Sequence, residues 1–126
     1  MSGYTVKSID EMAAIHHGLV KLAGAELGIE NFGMQVIDIP AGFNDYPAHD
    51  HAEDGQEEVY VLLRGSAEVE VAGERIQLEQ GQMVRVSPEC NRGLQPGADG
   101  AHILAIGCGS GGSYERPGDF QLEVQS

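Results

Sequence analysis

The chain has 126 residues, 41% of them hydrophobic, which fits one domain with one real core and leaves little room for two. With 20 acidic against 7 basic residues the formal net charge is −13. A surface this acidic repels nucleic acid and anionic membranes, so neither is expected as a partner. The cysteines, Cys90 and Cys108, are too few and too far apart for a disulfide framework or a zinc knuckle, and free thiols in a reducing compartment are expected. No stretch approaches 18 apolar residues and no signal-type apolar run opens the chain, so the expected location is cytoplasmic.

The first predicted element is a helix in "SIDEMAAIHHGLVKLAGAELG". Ser8 offers an N-cap and Glu11 follows three residues on, the pattern of a capping box. Met12, Ile15, Leu19 and Leu22 keep helical spacing, with an end expected near Gly18 or Gly24. His16 and His17 would diverge by about 100° on such a helix, so they read as surface or capping residues rather than joint ligands.

From residue 32 the period changes to two. "FGMQVIDI" predicts a strand that stops at Pro40-Ala41-Gly42, and "EEVYVLLRG" carries the β-branched and aromatic residues of another. "SAEVEVAGERIQL" predicts a hairpin that turns at Ala72-Gly73. A turn at Gln80-Gly81, a strand in "QMVRVS" closed by Pro88, and a strand in "AHILAIG" follow. The run Gly107–Gly112 has no lysine and does not lead into a helix, so it reads as a flexible loop rather than a phosphate loop. Ser110 and Ser113 within it form no nucleophile elbow. Short strands at about ten-residue spacing point to an all-β sandwich or barrel. Residues 1–30 are expected as a helical extension and 31–126 as the barrel, within one domain overall.

The chemistry concentrates in "HDHAEDGQEEVYVLLRG". On extended backbone His49 and His51 project to one face while Asp50 projects to the other. Residues two apart on a strand lie about 7 Å apart, close enough for two imidazoles to converge on one ion. Glu58 opens the next strand and reaches the same point if the two segments pair. Tyr60 shares its face, and Gln56, two residues before Glu58, reaches toward a pocket rim. His102, on the strand face of Leu104 and Ile106, reads as a packed or hydrogen-bonded residue. Arg85 either lines the pocket or meets solvent, and Tyr114 either closes the barrel mouth or lies on the surface.

The stretch from Gly42 through His49-Asp-His51 and Glu58 to Gly65 resembles the first motif of the cupin family: a glycine, an HxH pair, a glutamate, and a glycine seven residues later. Six residues separate His51 from Glu58, more than the family's usual three or four. Gly81 and "QMVRV" resemble the start of the second motif, which then departs: Ser87 stands at the first proline, Glu89 at the glycine, and Arg92 at the histidine. The likeness covers residues 36 to 108. It implies a cupin-type double-stranded β-helix, or jelly-roll barrel, and a homodimer. It also implies one divalent transition metal (Fe, Mn, Ni or Zn), of whose usual three histidines and one glutamate His49, His51 and Glu58 are present.

Two readings of Arg92 are open. In one the metal stays, and Arg92, with Tyr60 and Gln56, binds a small carboxylic acid or sugar beside a 2-His-1-Glu centre performing oxygenation, isomerisation or hydrolysis. In the other Arg92 pairs with Glu58 in place of the ion, leaving a metal-free cupin that binds a small molecule without catalysis.

Overall fold

The computed structural model describes residues 3–109 and 114–122. The chain forms strands β1 (Ala14–Ile15), β2 (Val20–Lys21), β3 (Gly33–Ile39), β4 (Gln56–Val71), β5 (Glu74–Glu79), β6 (Met83–Val86) and β7 (Arg92–Gly109), with one short helix, α1 (Ala23–Leu27). All pairings are antiparallel, in the order β1-β2-β3-β7-β4-β5, with β6 on the free side of the first half of β4.

Two long bent strands make the barrel. The first half of β4 pairs with β6 and the end of β7, and its second half pairs with β5 and the start of β7. The bend falls where the β4–β7 register slips, between Leu62 and Arg64 and between Gly65 and Ala67. Extra residues at a bulge switch which parity of side chains faces inward. Glu58, Tyr60 and Leu62 are buried before the bend; Ala67 and Val69 are buried after it. β7 makes the matching switch, from Arg92 and Leu94 to Ala101, Ile103 and Ala105. Without the bulge, the phase of Glu58 would drive Glu68 and Glu70 into the core.

Gly65 sits at this bend with φ +91°, and a Cβ there would overlap the carbonyl oxygen of Gly100. Left-handed backbone and close approach both demand glycine. Gly65→Ala should therefore cost about 3 kcal/mol of stability, read as a lowered urea midpoint. Gly73→Ala serves as control: its φ is also positive, +86°, but no atom lies near its missing Cβ, so it should cost less.

The period-two segments became strands as expected, and the hairpin turns at Ala72-Gly73, where both residues have positive φ. The expected N-terminal helix did not form. Between residues 8 and 28 only a single 3-10 turn, Ile9–Glu11, and α1 are helical, and Ser8 makes no side-chain cap. Between them β1 and β2 form a hairpin whose second strand pairs with β3, Val20 opposite Ile37. His16, His17 and Gly18 carry φ of 54°, 60° and 85°, a left-handed run that no right-handed helix tolerates. Docking on a sheet edge buries Val20 and Leu22 and outweighs a helical pattern already weakened by two glycines.

A second difference is the stretch Arg92–Gly100, part of β7 despite Pro96 and three glycines. Propensity argues against a strand there, and pairing with β4 imposes one. Gly107–Gly109 continue β7 rather than forming a loop. Residues 110–113, with Ser110 and Ser113, lie outside the described residues. Both cysteines are free, as expected. Among the described residues no helix is long and apolar enough to cross a membrane.

Candidate metal centre and its cavity

His49 and His51 lie on an extended segment that is not a strand of the sheet. His49 exchanges both backbone hydrogen bonds with Arg92, its N–H donating at 2.9 Å and its carbonyl accepting at 2.8 Å, and the His51 N–H donates to Pro88 O. The segment therefore pairs with the start of β7, not with β4 as the sequence suggested. Glu58 instead sits between Val86 of β6 and Gly107 of β7. A Cβ on Gly107 would press on the Glu58 side chain at 3.0 Å, so this glycine makes room for the carboxylate.

The three predicted ligands meet inside the barrel, with their ligand atoms all within 4.8 Å of one another. His51 Nε2 lies 3.2 Å and His49 Nε2 3.7 Å from Glu58 Oε1. Two ligands about 2.1 Å from one ion at tetrahedral or right angles stand roughly 3.0–3.4 Å apart, so the spacing is close to a ligand set. The tautomers follow from the outer partners. His51 Nδ1 faces both oxygens of Asp54 at 3.0 Å, and His49 Nδ1 faces Pro47 O at 3.4 Å. These partners only accept, so both Nδ1 atoms carry hydrogen, and each neutral ring turns its Nε2 lone pair toward Glu58. His51 Nε2 is buried and, although near the carboxylate, makes no well-aligned hydrogen bond. A lone pair facing a carboxylate is repulsive unless a cation, metal or proton, lies between them.

Arg92 is fully buried. Its Nη1 donates to Glu58 Oε1 at 2.6 Å, its Nη2 to Ser87 O at 2.7 Å and its Nε to Cys90 O at 3.0 Å. Tyr60, 1% exposed, donates its hydroxyl to the same Oε1 at 2.7 Å. One carboxylate oxygen thus gathers the arginine, the tyrosine and both imidazoles. Burial pushes the Glu58 carboxyl upward, but hydrogen bonding from His49, His51 and Tyr60 outweighs it and holds the group well below the usual carboxylate range. The imidazole contribution requires a proton on Nε2, whereas Arg92 and Tyr60 are present in every state. Glu58, helped by Asp54 and opposed by burial, raises His51 above its ordinary value.

These shifts define a pH window for the metal-free protein. Glu58, depressed from 4.5, contributes stability that is present above that pH and lost as pH falls below it. His51, raised from 6.5, contributes stability that is complete below that pH and lost as pH rises through its folded value. The urea midpoint of chelator-treated protein should therefore peak between pH 4.5 and 6.5. Glu58→Gln should flatten both flanks, because His51 then loses its main partner.

A cavity of about 550 Å³ opens above the cluster, lined by His49, His51, Gln56, Glu58 and Tyr60 among others. Gln56 also donates to Asp54 through both its backbone N–H and Nε2, and so steadies the residue that orients His51. Arg92 does not line the cavity: it lies behind Glu58 with a donor on each of its three nitrogens engaged. His102 faces away from the barrel interior and bonds Asp38 at 2.6 Å. Arg85, exposed, pairs with Glu57 outside the cavity.

Sequence reasoning missed Asp54, His16, His17 and the aromatic wall. Asp54 lies in the lengthened loop after His51, where a turn closed by Gly55 N–H on His51 O returns it to the imidazole. Its signal was the spacing His51-x-x-Asp54. His16 and His17 reach the mouth only because the β1–β2 turn folds over it, which helical spacing concealed.

No protein-family model matches the chain, and no curated protein does. Solved structures do. A cupin protein from Bacteroides fragilis superimposes with a TM-score of 0.72 at 24% identity, covering 100% of both chains. An RmlC-like cupin from Desulfovibrio desulfuricans gives 0.56 at 22% identity over 63% of this chain and 73% of that one. A cupin 2 conserved barrel domain protein from Salinispora arenicola gives 0.52 at 15% identity over 64% and 66%. The antiparallel barrel, with its two strands bent at Gly65 and Gly100, is accordingly that of a chain with the cupin fold.

Proposed function

We propose that the chain is a metal-dependent cupin enzyme acting on a small molecule, with His49, His51 and Glu58 holding one divalent transition metal at the cavity floor. The observation that carries this reading is the pair of imidazoles whose Nδ1 atoms are committed to acceptors, leaving the buried Nε2 of His51 without a partner. Two imidazoles and one carboxylate suit Fe, Mn, Ni or Zn. Such an ion would supply a Lewis acid for a ligand oxygen. Asp54 orients His51, Gln56 holds Asp54, and Tyr60 keeps Glu58 ionised. Tyr60 and Gln56 also present polar groups to the ligand. Arg92 is the counter-ion of Glu58 in this reading rather than a substrate clamp, because it does not line the cavity. The same reading takes residues 1–30 and 31–126 as one domain. From the acidic charge and the cupin likeness, it takes the protein as a cytoplasmic homodimer without nucleic-acid partners.

One contact favours a second reading, a metal-free ligand-binding cupin without catalysis. Arg92 Nη1 occupies the carboxylate oxygen that an ion would share, and a proton on His51 would then satisfy its Nε2. Calorimetric titration of chelator-stripped protein with Mn, Fe(II), Ni and Zn separates the two. We expect one ion per chain, with binding lost in His49→Ala and Glu58→Gln. No binding, or binding unchanged in both variants, establishes the second reading.

A further inference from the structure

We infer that the cavity recognises an uncharged, largely apolar ring compound carrying a hydroxyl or carbonyl oxygen, and not a carboxylic acid or phosphate. This rests on the cavity being the ligand site and names the class of ligand it takes. Leu19, Val20, Ile37, Phe43, Tyr46 and Phe120 line its walls. Aromatic side chains there offer offset-stacked and edge contacts to a flat ring, and the volume of about 550 Å³ suits a ligand of a few rings.

In the cavity without a metal ion, charge decides against an anion. Among the described residues, no lysine or arginine lines the cavity. Arg92 is sealed behind Glu58, Arg85 pairs with Glu57 outside, and Arg116 is turned onto the carbonyls of Gly24 and Ile29. The carboxylates that face the cavity are Asp45 at the rim and Glu58 at the floor; His16, His17, His49 and His51 also line it, the last two turned toward Glu58. An entering carboxylate would exchange water for apolar walls and the Asp45 carboxylate, with no free cation to receive it. A cation gains little, because Arg92 already neutralises Glu58. A neutral ring loses no charge solvation, and its single oxygen finds the polar floor.

The test uses one ring with three charges: naphthol, naphthoate and naphthylmethylammonium, titrated calorimetrically at neutral pH into chelator-stripped protein. Working without metal keeps this result separate from the question of the ion, which metal titration answers by itself. Naphthol is expected to bind at least roughly tenfold tighter than either charged probe. Phe120→Ala, outside the barrel core, should weaken naphthol severalfold. Gln35→Arg, which places a cation on the cavity wall, should turn the preference toward naphthoate. Naphthoate or the ammonium probe binding as tightly as naphthol, or no probe binding at all, overturns the inference.

Discussion

Arg92→Met should unfold about 3–5 kcal/mol more easily than the wild-type protein. The guanidinium has no exposed surface, and each of its three nitrogens donates, to Glu58, Ser87 O and Cys90 O. Methionine fills much of the same space but returns no donor. The variant keeps a buried carboxylate without its cation and two carbonyls without partners, and each lost partner is costly in a dry interior. A domain of this size has roughly 5–15 kcal/mol of stability in all, so the variant should fold only marginally, with a large drop in urea midpoint. Adding Glu58→Gln should recover part of the loss, because the stranded charge is then gone. If the double variant is no more stable than the single one, the arginine stabilises through packing and its carbonyl contacts alone, and the ion pair is incidental.

Arg92→His should raise affinity for a divalent ion at least about a hundredfold. A positive charge about 4 Å from an ion opposes each of its unit charges by roughly 4 kcal/mol at an effective dielectric near 20, so about 8 kcal/mol for a divalent ion. The Glu58 carboxylate between them offsets part of that. Histidine removes the repulsion and adds an imidazole at the position where the cupin motif has one. Competition against a chromogenic chelator measures the change, and Arg92→Met separates its two parts. Charge removal alone should improve affinity in both variants, while only histidine adds a ligand. Equal affinity in the wild type and Arg92→His would mean that the guanidinium does not oppose the ion and that the cluster binds from the cavity side.

Much of this arrangement was legible in the amino-acid order. Alternation along Gln56–Leu62 and Ala67–Val71, the positive-φ turn at Ala72-Gly73, and the spacing of His49, His51, Glu58 and Gly65 are local properties of a strand with period two. They determined the all-β class, the hairpins and the three residues that converge. The N-terminal segment was not legible. Its apolar positions satisfy a helix and a docked hairpin about equally, and only the edge of β3 distinguishes them by burying Val20 and Leu22. Arg92–Gly100 was hidden for the opposite reason, because strand pairing with β4 overrides its proline and glycines.

The sequence by itself determined which ligand-type residues share a face, because side-chain direction on extended backbone depends only on neighbours. It also placed Arg92 where the resemblance to the second cupin motif would have a histidine. The tertiary structure alone decided what that arginine does. Its orientation depends on the parity switch at the bends of β4 and β7, on the carbonyls of Ser87 and Cys90, and on Glu58, 34 residues away. These are long-range contacts without a local signature. They turn Arg92 from a ligand clamp in prospect into a buried counter-ion, and among the described residues they leave the cavity above it without a lysine or arginine.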